Sequence, residues 1–213
     1  MASPLSAQSR VELSGFAGWA FSDGVSGDGL FAGDGNFYNR VDPKDNGIYG
    51  FSAGFLVTPQ VELGFLYSLQ STALILGCDD LTVCSATERD LGDFSISTYH
   101  GYFAYNFGEE ESPIRPFVLF GLGATSYGDV TVNVLGVDRS IGGDSQFSST
   151  LAGGVKFFFN KNFGARVAAR ITPTYIKSDA EGYWCDPYWG CYLVGDAQYS
   201  NQFELSGGIT FRF

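Results

Sequence analysis

The chain has 213 residues, enough for one domain or at most two, with 45% hydrophobic residues and a formal net charge of −11. That hydrophobic content excludes a disordered chain, and the acidic excess argues against nucleic acid as a partner because phosphates would be repelled. No apolar run approaches the ~18–20 residues of a membrane-spanning helix, which excludes helical membrane proteins but not barrels. Three features stand out: an aromatic content of 20 Phe, 12 Tyr and 3 Trp, 29 glycines, and a single histidine, His100.

Residues 1–9 read as an N-terminal tail whose Met1-Ala2-Ser3-Pro4 resembles a start placed before a mature N-terminus, so an export signal is expected to have been removed. Eight strands follow, at about 10–21, 46–58, 61–72, 93–107, 114–127, 146–159, 163–176 and 198–213. Each alternates with a period of two, and no helical 3.6-residue period competes. Long connections alternate with short ones along the whole chain. An up-and-down meander closed on itself puts every second connection at one end, whereas Greek-key sandwiches show no such regularity. The expected fold is all-β: one eight-stranded antiparallel up-and-down transmembrane β-barrel spanning 1–213.

The parity of the charges decides which face is wet. Glu12, Glu62, Arg115, Lys156, Arg166, Arg170, Glu204 and Arg212 all lie on the polar parity of their strands. The same parity carries many small residues, among them Ser14, Gly18, Ser52, Gly54, Gly64, Ser68, Ser148 and Gly154. Eight strands enclose an interior only wide enough for side chains, so small residues there make room for a few long charged ones. The other parity is crowded with Phe, Tyr, Leu and Val. A basic side chain facing lipid near the midplane costs about 2–4 kcal/mol, so this discipline suits a lipid-facing exterior. A soluble lipocalin-like barrel is the alternative, and its surface would carry more Lys and Glu. The long connections (22–45, 73–92, 128–145, 177–197) hold 16 acidic and five basic residues, and the remainder seven of each. The acidity therefore lies at one end.

The ending "QFELSGGITFRF" (Gln202–Phe213) sets Phe203, Leu205, Ile209, Phe211 and Phe213 on one parity. Together with eight strands, long–short alternation and "IRPFVLFGLGATSY" (114–127), it resembles the small outer-membrane β-barrels of Gram-negative bacteria, the OmpA/OmpX-like group. The resemblance covers the chain from about Arg10. It implies that Leu205, Ile209, Phe211 and Phe213 form the C-terminal insertion signal read by the barrel-assembly machinery, with Gly207 its weak member. It also implies that the last strand pairs with the first, that both termini are periplasmic, and that the long loops are extracellular and contact outer-membrane lipid.

The function expected is a non-enzymatic structural or surface-interaction protein with no cofactor. A narrow ion or small-solute channel is the alternative, and a lipid-modifying enzyme a further one. The interior charge network is Glu12, Glu62, His100, Lys156, Arg166, Arg170, Glu204 and Arg212, read as a salt-bridged plug. Ser95 and Ser97 lie on the opposite face from His100, and no catalytic set is expected. "CDDLTVC" and "CDPYWGC" repeat a C-x5-C spacing unlike zinc pairs and read as two loop-stapling disulfides, Cys78–Cys84 and Cys185–Cys191, with pairing between the segments left open. Asp23, Asp28 and Asp34 are weak calcium candidates whose spacing does not match a calcium-loop pattern. Tyr183, Trp184, Tyr188, Trp189 and Tyr192 form a candidate contact patch for a surface protein or glycan.

Overall fold

The structure is a computed structural model that describes residues 11–32, 36–78, 88–128, 130–134, 137–141, 144–176, 184–186, 190–192 and 198–213. Its strands are β1 (Val11–Ser22), β2 (Val25–Ala32), β3 (Asn36–Pro43), β4 (Asn46–Leu56), β5 (Val61–Gly77), β6 (Arg89–Asn106), β7 (Ile114–Tyr127), β8 (Val130–Val134), β9 (Val137–Ile141), β10 (Ser145–Phe158), β11 (Phe163–Ile176), β12 (Trp184–Asp186), β13 (Gly190–Tyr192) and β14 (Gln198–Arg212). Eight of these, β1, β4, β5, β6, β7, β10, β11 and β14, are antiparallel neighbours in chain order. The closure is β1 against β14, from Glu12↔Arg212 to Ser22↔Gln202. Closure leaves no unpaired edge in the wall, as a sheet immersed in lipid requires.

All eight predicted wall strands are present, shifted by a few residues at their ends. The long connections differ from expectation, because three of them contain strands where loop alone is expected. In the first, β2 and β3 form a hairpin whose second strand joins β5 at Arg40↔Gly77 to Pro43↔Leu74. β8 pairs with β9 in the third, and β12 with β13 in the fourth. The second is shortened instead: β5 and β6, 17 and 18 residues long, exceed the ~9–11 needed to cross a bilayer. They extend their ladder beyond the wall and carry the hairpin there. The physical reason in the third is alternation: "VTVNV" sets the β-branched Val130, Val132 and Val134 at every second position, and "VDRSI" opens and closes on the β-branched Val137 and Ile141.

Burial alternates along the wall strands, most regularly in β1 and the first half of β7. The exposed set is apolar: Val11, Leu13, Phe51, Leu63, Phe103, Val118, Leu122, Leu151, Val167 and Ile209 all face outward. The buried set carries the charges: Glu12, Glu62, Arg115, Lys156, Arg170, Glu204 and Arg212 are shielded by the wall. This inverts the arrangement of a water-soluble protein, whose buried charges are rare. Outward rings cluster at both ends of the wall. Phe159, Phe163 and Phe211 meet near the short turns at 5.7 and 5.1 Å, and Tyr175–Tyr199 and Phe21–Phe203 lie near the long loops at 5.4 and 6.2 Å. Such belts are the habit of membrane–water interfaces.

Candidate functional site

The lumen gathers side chains from all parts of the chain. Nearest the short turns, the Lys156 ammonium on β10 meets Glu12 on β1, and Glu62 on β5 at 2.8 Å. β10 is three wall positions from each of those strands, so this one cation ties three well-separated parts of the wall. Glu12 also takes Arg212 at 3.2 Å. Glu62 accepts the Tyr102 hydroxyl at 2.5 Å and the Asn106 amide at 3.3 Å. Close approach makes this possible. A Cβ added at Gly54 would sit 2.1 Å from Glu62 Oε1, and one at Gly64 2.5 Å from the Tyr102 ring. The small residues of the polar parity are the space that the long ones occupy.

One level up, Arg170 pairs with Glu204 and donates to Ser68 at 2.7 Å. Arg166, level with its cross-strand partner Lys156, donates to Ser52 at 3.2 Å and stacks on the faces of Phe117 and Phe16 at 5.0 and 5.9 Å. Polar parity alone does not reveal the inward apolar side chains: Phe16, Leu66, Tyr102, Phe117 and Leu119 belong to a buried apolar cluster inside the lumen. Phe16 and Phe117 offer ring faces to the guanidinium groups of Arg166 and Arg170, an attraction worth about 2 kcal/mol when desolvated.

Nearest the long loops the lumen is neutral and hydroxyl-rich. His100 was grouped with the interior charges in the sequence, but it stands apart from the ion pairs. Its Nε2 shares a hydrogen bond with Ser148 Oγ at 2.9 Å, and Ser148 accepts from Thr125, which accepts from Thr174. Gln202 donates to Gln70 nearby. The His100 partner was missed because it lies two strands away, across β7, rather than along the strand. Among the described residues no side chain hydrogen-bonds His100 Nδ1. Arg115 lies on the polar parity of its strand but outside the expected network. It is wholly buried and donates to the Pro59 carbonyl.

The remaining candidates lie at or beyond the rim. Leu205, Ile209, Phe211 and Phe213 all face outward on the closing strand. Cys78 is disulfide-bonded, and Cys84 lies outside the described residues. Cys185 and Cys191 are direct partners in the β12–β13 ladder, as are Trp184 and Tyr192; Tyr183, Tyr188 and Trp189 lie outside the described residues. Asp23 is exposed at the end of β1, Asp28 lies on β2, and Asp34 is outside the described residues. Among the described residues no three His, Cys, Asp or Glu side chains converge as metal ligands.

No protein-family model matches the chain, and no curated protein matches it. Solved structures do. The outer membrane protein OprG from Pseudomonas aeruginosa aligns with a TM-score of 0.63 at 12% identity, covering 97% of each chain. Outer membrane protein AlkL, solved in DMPC lipid bilayers, gives 0.54 at 13% identity over 100% of this chain and 94% of that one. Neisserial surface protein A gives 0.50 at 15% identity over 95% of this chain and 97% of that one. At such identities the likeness is one of fold. The chain has the fold of the small eight-stranded outer-membrane β-barrels, as the sequence resemblance implied.

Proposed function

We propose that this chain is a non-enzymatic integral barrel of the bacterial outer membrane that displays acidic loops to the exterior and does not conduct. The termini and short turns lie on the periplasmic side. The observation that carries this reading is the bridge from Glu12 through Lys156 to Glu62, which crosses the lumen between three strands of the wall. A shielded ion pair that spans the bore supports a plug over a continuous water path at that level. What remains to interact with partners is the loop end, where the net charge of −11 resides. Acidic loops suit a solvated outer surface bridged by divalent cations to lipid headgroups. The aromatic-rich "YWCDPYWGCY" (183–192) is the segment best suited to anchor a surface protein or glycan.

Protein reconstituted into vesicles that contain lipopolysaccharide tests this reading. Swelling in small sugars is expected at the rate of protein-free vesicles, with the lipids recovered at unchanged mass. Swelling above that background would put the channel reading in its place. A shifted lipid mass that is lost in His100→Ala would put the enzyme there.

A further inference from the structure

The outer wall is not uniform around its circumference. Across β10, β11 and β14 it is hollowed into a groove of about 460 Å³, within the ~300–1,000 Å³ range of pockets that take organic groups. The small Gly153, Ala169 and Gly207 and the larger Val155, Val167 and Leu205 line its outward side. The two glycines have no reason inside the barrel. Among the described residues, a Cβ at Gly153 or Gly207 would meet nothing nearer than a backbone oxygen at 3.9 Å, whereas one at the inward Gly154 or Gly208 would strike backbone oxygen at 2.2 Å. The ladders run through both without a register shift, so neither marks a bulge. A strand glycine of this kind weakens its strand and marks the close approach of another group. Small residues bring helices together in membranes by the same means.

The opposite wall carries the complement. Phe51, Phe65, Tyr67 and Tyr99 on β4, β5 and β6 form one row on the outer face, with centroids 6.4 Å apart for Phe51–Phe65, 5.6 Å for Phe51–Tyr67 and 5.0 Å for Tyr67–Tyr99. β5 is four strands from β11 in either direction round the wall, so row and groove are diametrically opposed. They also share a height. From Ala168, at the centre of the groove, the ladder partners run through Ser206, Gly18 and Ile48 to Gln70 of β5. The other way they run through Gly154, Phe117 and Asn106, whose N–H donates to the Gln60 carbonyl at 2.7 Å. Strand tilt carries the two paths equally far to either side of the true level. That level therefore crosses β5 midway, at Phe65. Interfacial belts explain rings at the ends of the wall, not rings at this height.

We propose that the groove takes the aromatic row of a second copy of this chain, so that barrels associate side by side in the membrane. The height match selects this occupant. Copies inserted in the same direction bring Phe65 of one to the level of Ala169 and Gly207 of the next. Contact between two different patches is heterologous, and patches on opposite walls propagate it as a straight row rather than a closed ring. β1 and β7 lie a quarter-turn from both patches and stay in lipid. Repulsion between the acidic loops of neighbours opposes the contact, and physiological salt screens it beyond about 8 Å. The proposal goes beyond the closed-barrel reading and rests only on the wall facing hydrocarbon.

The test is photo-crosslinking of the full chain refolded into lipid vesicles, with a benzophenone analogue of phenylalanine in place of Phe65. Irradiation is expected to give a ladder of dimers and higher species, with adducts mapped to the groove strands β10, β11 and β14 of the neighbouring copy. Gly153→Leu/Gly207→Leu fills the groove from positions with space for a side chain. It is expected to lose the ladder while keeping heat-modifiable gel mobility. Adducts to acyl chains alone would overturn the proposal and make the groove a lipid site. So would adducts to the β4–β6 wall of the other copy, or adducts scattered over all strands. Mapping in the otherwise unaltered chain needs no variant to fold. The same probe at Leu122 on β7 is expected to label acyl chains only, and an absence of lipid adducts there would contradict the membrane reading itself, so the two failures are distinct.

Discussion

Lys156→Met is expected to destabilise the barrel by about 3–5 kcal/mol, the penalty for removing one member of a buried ion pair. The side chain is replaced by one of similar length, so packing is largely kept and the loss is electrostatic. Without the ammonium, Glu12 and Glu62 lose their common partner; Glu12 keeps Arg212, but Glu62 keeps only Tyr102 and Asn106. The double variant Lys156→Met/Glu62→Gln removes one charge of each sign and leaves the layer's net charge as it was. It should recover more than half of the loss. Urea midpoints of refolding in detergent measure both. Equal losses in the single and double variants would mean that the ion pair acts through shape and not charge.

The second large effect concerns the other face. Leu122 lies on the outer face near the middle of β7 and is 49% exposed. On a soluble barrel, a basic residue at an exposed position changes stability by at most about 0.5 kcal/mol. On a wall immersed in hydrocarbon, Leu122→Arg is expected to cost about 2–4 kcal/mol. The matched control is Ser112→Arg in the turn before β7, outside the hydrocarbon, which should be near neutral. Folding equilibria in lipid vesicles give both values. If the two substitutions were indistinguishable, the exterior would not be facing lipid.

The wall was legible in the sequence because period-two patterning needs no knowledge of neighbours. Glu12 between Val11 and Leu13, and Arg212 between Phe211 and Phe213, announce which parity is shielded. The C-terminal strand's role in closure was implied by resemblance, and the β1–β14 register now gives it residue by residue. What could not be read was which interior groups meet. Lys156 finds Glu12 and Glu62 because of the shear of a closed barrel, which depends on eight registers at once. The same reason hid Ser148 from His100. Arg115 was visible on the polar parity, but the cationic row it makes with Lys156 and Arg166 appears only when the β7–β10–β11 registers are known. The loop hairpins were a different kind of miss. The alternation of "VTVNV" is visible in the sequence, but "VDRSI" carries Arg139 at its middle position and so reads only weakly as a strand.

The closed lumen is tested most directly by single-channel recording of the refolded protein in a planar bilayer, with Arg170→Ala beside it. Insertion is verified independently by heat-modifiable mobility of protein recovered from the membrane. A silent bilayer with inserted wild-type protein is expected, since Lys156 is held by carboxylates across the bore and Arg170 by Glu204 on the neighbouring strand. Steady discrete steps from the wild type, altered in size by Arg170→Ala, would contradict it and make the interior charges the lining of a path.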